Sequence, residues 1–281
     1  MKYFCGISKK MEKLLNISIV VYEKIPQGLF LLIDVFVREK NVNKIFIIDN
    51  SKCRNAKLDL PCVEYIFNNG KNLGYGKAHN IALRKTLEEN IPFHLVVNPD
   101  VMVDEMVLSK LLEKMSADES VGLLMPKVVS PDGQIQYLCK LLPTPFDLFL
   151  RRFCFGYYAK KRQFYFEMHF ADYEKEMQVP YLSGCFMFMR TDVLRKVGLF
   201  DERFFLYPED VDLSRRMFLY TKNLYYPSVK IVHQHARDSY KSVRLLSLHI
   251  WNMCKYFCKW GWFFDKNRRD INRRILSKYF K

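Results

Sequence analysis

The chain has 281 residues, 49% hydrophobic and 27% charged, with a formal net charge of +15 at neutral pH. That composition excludes a disordered chain and leaves room for one large domain, or one domain with an extension. No apolar run reaches the roughly 18–20 residues of a membrane-spanning helix, and the eight cysteines form no CxxC pair and no zinc set.

Residues 1–14 read as a short N-terminal tail, without the apolar centre and cleavage site of a signal peptide. Scattered thiols without an export signal indicate a reducing cytosol. The β-branched run NISIVVY (16–22) predicts a strand, and GLFLLIDVFV opens a helix over 28–39 with a core-facing stripe. KIFIIDN (44–50) and VEYIF (63–67) predict two more strands. Residues 74–90 start with glycines and continue as a helix. FHLVVNPD (93–100) is a fourth strand, stopped by Pro99, whose missing N–H cannot extend a ladder. A helix over 104–116 and the run VGLLMP (121–126) follow. Strands alternating with helices predict βαβ units and a mostly parallel sheet, with ligands at the carboxyl ends of the strands. Tyr22, Asp49-Asn50 and Asn98-Pro99-Asp100 fall at such ends.

The second half is less regular. DGQIQYL (132–138) suggests a hairpin arm, and 145–178 is aromatic and basic without a clear period. PYLSGCFMFMR (180–190) predicts a strand, TDVLRKVG (191–198) a short helix capped by Thr191 or Asp192, and NLYYPSVKIVHQH (223–235) another strand.

Several stretches carry chemistry. Asp100, after an apolar strand, is either a turn former or a ligand for Mg²⁺ or Mn²⁺ shared with substrate phosphates; Asn98 adds a neutral amide oxygen. NNGKNLGYGKAHN (68–80) is neither a Walker loop nor a GxGxxG motif. It is either a flexible turn at a helix start, or backbone approaching a nucleotide with Asn80 near the ligand. Asp49 either closes an Asx turn or accepts the imide N–H of a uracil or thymine ring. His233 and His235 lie two apart, on one side of a strand, where one of them suits a metal. In YPEDVDLSRR (207–216), a helix entered at Pro208 puts Glu209 and Asp212 on one face and turns Asp210 elsewhere. These acids either complement the helix dipole in solvent or include a general base. The aromatic approach GLFDERFFLY (198–207) favours the second: an apolar wall raises a carboxylate's proton affinity.

From residue 237 onward, twelve Lys/Arg face three Asp, a balance of +9, and all three tryptophans (251, 260, 262) lie there. Basic and aromatic side chains together suit a lipid headgroup region; some of the aromatics also have to pack the tail onto the domain. The same basicity raises a nucleic-acid-binding protein as the rival reading. No zinc-finger spacing or RNP-type motif supports it, the acidic YPEDVD is a poor phosphate neighbour, and no nucleic-acid partner is expected.

Taken in order, IIDNS, NLGYGKAHN, VVNPDV, YLSGCFMFMRTDVLRKVGLFDERFFLYPEDVDLSRR and IVHQHARDSYKS resemble glycosyltransferase family 2. The likeness runs over about residues 16–270 and is strongest to rhamnosyltransferase-type enzymes of bacterial surface-polysaccharide (O-antigen or capsule) assembly. It implies a GT-A fold: an α/β, Rossmann-like, mostly parallel central sheet with helices on both faces. The domain would span 15–236, with a nucleotide-sugar half (15–126) and an acceptor half (127–236), followed by a basic, aromatic helical extension (237–281).

The resemblance also implies inversion at the anomeric carbon, a nucleoside-diphosphate donor (dTDP-rhamnose or a UDP-sugar), and Mg²⁺ or Mn²⁺. The acceptor would be a saccharide, lipid-linked, met at the inner face of the cell membrane by a cytoplasmic, peripherally bound enzyme. Asp210 and Glu209 would be the catalytic acid pair, and Asp100 and His233 the metal ligands. Tyr22, Asp49, Asn50, Asn72, Gly74, Asn80, Asn98 and Gly184 would hold the nucleotide sugar. Two departures stand out. NPD has one acid where the fuller DxD motif has two, and Ala82 replaces a glycine found in many relatives. A domain that binds sugar nucleotide without turnover is the alternative within this likeness.

Overall fold

The computed structural model describes residues 13–55, 60–147, 156–234 and 243–280. Most of the expected N-terminal tail, and His235, lie outside the described residues.

Side-chain alternation sets the layers. Strands β1 (Leu15–Val21) and β2 (Val42–Asp49) pair in parallel. Ile17, Ile19, Ile45 and Ile47 point to one face, where helix α1 (Leu29–Arg38) covers them with Leu29, Leu32, Ile33 and Phe36. Phe46 and Ile48 point to the other, against Ala78 and Ala82 of helix α2 (Tyr75–Glu88). The period of two thus requires a helix on each face.

The remaining elements follow in chain order. β3 (Val63–Phe67) precedes α2; β4 (Phe93–Val97), β5 (Val101–Met102), α3 (Val107–Ala117), β6 (Val121–Val129) and β7 (Cys139–Lys140) come after it. Then come α4 (Tyr157–Phe166), β8 (Met177–Gln178), β9 (Tyr181–Leu182), β10 (Phe186–Arg190), α5 (Thr191–Val197), α6 (Pro208–Phe218), β11 (Lys222–His233), α7 (Val243–Trp260) and α8 (Lys266–Leu276). The main sheet runs β3-β2-β1-β4-β10-β6-β11-β5, with β8 also on β11. Six of its nine strands (β1–β4, β6, β11) share one direction, and β10 is inserted antiparallel between β4 and β6. Asp49, Asn98 and His233 therefore leave the sheet at the same edge.

Two predicted strands differ in detail. Residues 180–190 split into β9 and β10 around Gly184. β11 runs to 233 but shifts register between Tyr226 and Lys230. Pro227, lacking an N–H, lies in that interval.

A buried polar chain fixes α2 to the sheet. Thr86 Oγ1 donates to Ala82 O (2.9 Å), so His94 Nδ1 must donate to Thr86 Oγ1 (2.7 Å). His94 Nε2 then accepts from Ser18 Oγ (2.8 Å), and His79 Nδ1 donates to Ser18 Oγ (2.7 Å). One assignment of tautomers satisfies all four bonds, and it needs His94 neutral, since Nε2 accepts there. Burial pushes both imidazoles well below the ordinary histidine value, His94 to about 3.

The basic C-terminal stretch belongs to the same core. Met253, Tyr256 and Phe257 of α7 and Ile271 and Ile275 of α8 are buried within it. Among the described residues, no helix is long and apolar enough to cross a membrane.

Candidate active site

The opening of α6 is where local sequence and chemistry meet. Pro208 takes the first helical position, where its missing N–H is harmless. Tyr207 before it sits at φ 90°, ψ −65°, an uncommon place for a non-glycine residue, and stacks on His249 of α7 with ring centroids 4.5 Å apart. Glu209, Asp210 and Asp212 are all buried, so this is not a solvated first turn.

The three acids have different surroundings. Asp212 accepts from Trp260 Nε1 (2.7 Å) and Arg216 Nε (2.8 Å) and pairs with Lys259 (2.6 Å), an anchor for α7. Asp210 Oδ2 accepts from the Gly184 N–H (2.8 Å) and the Tyr181 hydroxyl (3.3 Å), and Oδ1 from the Val211 N–H (2.8 Å). Burial raises its pKa from the usual 3.8 to about 6, against the lowering effect of these donors and of Lys140. Glu209 is held well above the ordinary glutamate value by burial and by its neighbour Asp210. Its Oε2 has no hydrogen-bond partner among the described residues, as suits a protonated acid. The expected aromatic wall is present: Phe200 and Phe204 are buried, and a Cβ on Gly76 would come within 2.8 Å of Phe200 and 3.3 Å of Glu209.

A hydrogen-bonded path links this pair to the sheet edge. A Cβ on Gly184 would lie 3.2 Å from Asp210 Cβ and 3.3 Å from Oδ2, a tight fit that Asp210 would have to yield to by a few tenths of an ångström. The Gly184 carbonyl accepts from the Tyr75 hydroxyl (2.6 Å), which also lies 3.0 Å from Asn98 Oδ1. Asn98 in turn lies 3.4 Å from His233 Nε2, and that nitrogen is 3.4 Å from Asp100 Oδ1.

Gln136 decides how His233 is presented. Its Nε2 donates to the His233 carbonyl (2.7 Å), which fixes the amide and leaves Oε1 facing His233 Nδ1 at 3.0 Å. Nδ1 must then be the donor, and in a neutral ring Nε2 carries the lone pair toward Asp100. An imidazole nitrogen and a carboxylate oxygen so placed fit a divalent cation completed by substrate phosphates and water. Among the described residues, no group of three or more His, Cys, Asp or Glu is arranged as a metal cage; a site completed by substrate does not require one.

The donor-side residues are placed unevenly. Asp49 is fully buried and in an Asx turn: Oδ1 accepts from the Ser51 N–H (2.9 Å), and Oδ2 from the Asn55 N–H (3.0 Å) and the Tyr65 hydroxyl. Asn50 Nδ2 donates to Gly74 O (3.1 Å), tying that turn to the loop before α2. Asn72 Oδ1 accepts from the Gly74 N–H (2.9 Å). Gly74 has φ 83°, and a Cβ there would meet Phe205 O at 2.3 Å. Tyr22 is 52% exposed beyond the end of β1. Asn80 differs from expectation. It is buried inside the fold, where Oδ1 accepts from the Phe200 N–H (3.1 Å) and Nδ2 donates to Phe200 O (2.9 Å) and Glu202 (3.1 Å). Its amide holds the 200–202 turn and is spent there. Tyr75, Gln136 and Tyr181 were not singled out by sequence. Only Tyr75, between two glycines of the loop, carries a recognisable signal.

No protein-family model matches the chain. Its sequence is 29% identical over 188 residues to N-acetylglucosaminyl-diphospho-decaprenol L-rhamnosyltransferase of Mycobacterium tuberculosis (strain CDC 1551 / Oshkosh), covering 60% of this chain and 58% of that one. The chain thus matches less than two thirds of that relative's length. Solved structures show the fold more completely. GalNAc-T7 with UDP, GalNAc and Mn²⁺ superposes at TM-score 0.57 with 14% identity, over 79% of this chain and 43% of the other. The Pyrobaculum calidifontis mannosyltransferase PcManGT, with GDP-Man and Mn²⁺, gives 0.54 with 14% identity, over 89% and 64%. The chain has the GT-A fold. Staphylococcus aureus TarS 1–349 has it too, superposing over 95% of this chain and 72% of its own at TM-score 0.54 and 13% identity. In these GT-A terms, the sheet edge with Asn98, Asp100 and His233 and the opening of α6 face one another across Tyr75 and Gly184.

Proposed function

We propose that the chain is an inverting glycosyltransferase of family 2. It moves a sugar from a nucleoside-diphosphate donor, dTDP-rhamnose or a UDP-sugar, to a hydroxyl of a saccharide acceptor in surface-polysaccharide synthesis. The observation that carries this reading is Asp210. It is a buried carboxylate with a pKa near 6, joined through Gly184, Tyr75 and Asn98 to the Asp100–His233 pair. A base of that strength is matched to neutral pH.

In this reading Asp210 takes the acceptor hydroxyl proton as that oxygen attacks the anomeric carbon and the bond to the diphosphate breaks. Glu209, neutral beside it, keeps a second negative charge out of the pocket. Asp100 and His233 would hold a divalent cation, which would supply charge neutralisation for the diphosphate leaving group. Tyr75 has one hydroxyl proton, and the shorter contact is to Gly184. Given there, it leaves the hydroxyl an acceptor, and an Asn98 amide turned to donate to it brings its oxygen toward the cation site. Asp49 reaches a pyrimidine imide only by exchanging one of its internal donors. Tyr22, Asn50, Asn72 and Gly74 shape the donor side. Asn80 acts at one remove, by holding the 200–202 turn.

The relative's name specifies a lipid-linked acceptor. That supports a lipid-linked saccharide here, met by a protein peripherally bound at the inner face of the cell membrane. A thermal-shift screen of nucleotide sugars with Mg²⁺ or Mn²⁺ tests the donor class, since a ligand of the native state raises its melting point. At a hundredfold excess over Kd the gain is about 2.7 kcal/mol. If no nucleotide sugar shifts the transition with either cation, the reading is wrong.

A further inference from the structure

Outside the proposed active site, α8 walls a groove of about 510 Å³ that combines a surplus of positive charge with an apolar floor. Arg268, Arg269 and Arg273 line it together with Thr144, Leu276 and Phe280. Arg269 and Arg273 are exposed, whereas Arg268 is 3% exposed.

The buried charge does not balance. Arg215 takes both oxygens of Asp265 (2.6 and 2.7 Å), and Arg268 Nη1 is 3.9 Å from the same carboxylate. Two guanidiniums therefore share one carboxylate. Asp147, the next acid, is engaged by Arg162 through Nε (2.9 Å) and Nη2 (2.6 Å). Arg268 donates to Pro143 O (3.3 Å), Gly261 O (3.4 Å) and Trp262 O (2.8 Å). Its buried Nε–H has no acceptor among the described residues. Arg269 and Arg273 carry the positive surplus to the groove surface, and Arg268 beneath them adds a buried charge only partly matched by Asp265.

The aromatic loop next to the groove belongs to the same surface. Arg268 holds the Trp262 carbonyl, Phe263 packs on Phe146 with centroids 5.9 Å apart, and Phe264 is 91% exposed. Exposed aromatics bordering a basic helix form the pattern of a segment lying in a bilayer interface.

We propose that this groove binds the phosphate of an anionic phospholipid, with its acyl chain along Leu276 and Phe280, while Trp262–Phe264 enter the bilayer interface. The arginine forks match phosphate oxygens, and the surplus positive charge matches an anionic leaflet. The proposal rests on the reading of the chain as an enzyme working at a membrane surface, and it names the residues that meet that surface.

Flotation of the full chain with phosphatidylcholine vesicles, with and without phosphatidylglycerol, tests it. The wild type is expected to float with the anionic vesicles only. Each basic residue near an anionic leaflet contributes about fivefold, so R269A/R273A lowers partitioning roughly 25-fold. F263S/F264S, also exposed, lowers it about tenfold or more. Equal flotation with both vesicle types, or partitioning of R269A/R273A within about twofold of wild type, overturns the proposal. A chain that binds nucleotide sugar but ignores vesicles overturns it alone. A chain that floats as described but binds no nucleotide sugar leaves it standing and removes the enzyme reading.

Discussion

Asp210 combines two demands that oppose one another. Burial gives it a base's proton affinity, and the same burial makes its charge costly. The shift from 3.8 to about 6 corresponds to a destabilisation of up to about 3 kcal/mol when the group is ionised. Because the folded state binds the proton more tightly, this cost is absent below the ordinary carboxylate pKa, grows toward pH 6 and is complete above it. D210N should therefore melt higher than wild type at neutral pH, and kcat/KM of the wild type should rise through an apparent pKa near 6. An unchanged or lower melting point for D210N contradicts the burial argument. Gln136 carries a separate prediction. Q136L removes the acceptor that sets the His233 tautomer and should weaken Mn²⁺ binding in the absence of donor about 10–100-fold, read by titration calorimetry. Asp100 and His233 were legible in sequence because each ends an apolar strand. Gln136 was not, since its role appears only when the 130–136 turn folds back on β11. Asn80 looked like a ligand-side amide because a loop rich in Gly and Asn gives no sign of which amides the fold itself uses.

At the scale of elements, α2 and α6 are held by opposite kinds of polar interaction. Under α2, the Thr86–His94–Ser18–His79 chain requires a neutral His94, and burial favours the neutral form of His79 as well. Their pKa values are depressed by burial, so the unfolded chain takes up protons that the folded chain refuses. The stability they contribute is present above about pH 6.5 and is lost as pH falls toward about 3. Between pH 7.5 and 5.5 this amounts to roughly 1–3 kcal/mol. Denaturant titrations at both values check it: H94Q, which removes one of the two buried imidazoles, should reduce that pH dependence by roughly half, and an identical slope would argue against the account. Under α6, the bond is ionic. D265A leaves Arg215 buried without its carboxylate and should cost about 3–5 kcal/mol, measured as a drop in the denaturation midpoint. The alternating strands and α2 were legible from period and glycine placement. The break of 180–190 at Gly184 was not, because FMFM and YL read as one apolar run until the close approach of Asp210 is known.

For the whole molecule, the C-terminal helices show how the tail packs onto the domain, as the sequence requires of some of its aromatics. Net charge and tryptophan content describe what α7 and α8 present outward, but not that Tyr256, Phe257 and Ile275 complete the core or that His249 and Trp260 brace α6. Removal of residues 243–280 is thus expected to unfold the domain rather than release a free catalytic unit, which circular dichroism of the truncated chain would show. Surface charge is visible in composition, whereas the inner face of an amphipathic helix acquires meaning only with its partner. The central claim is that one cleft joins the Asp100–His233 pair to Asp210 as base. Its most direct test is the single-turnover rate of sugar transfer by D210N at saturating donor and Mn²⁺. The account predicts a loss of about 10²–10⁴-fold with donor affinity kept; transfer by D210N within about tenfold of wild type would contradict it.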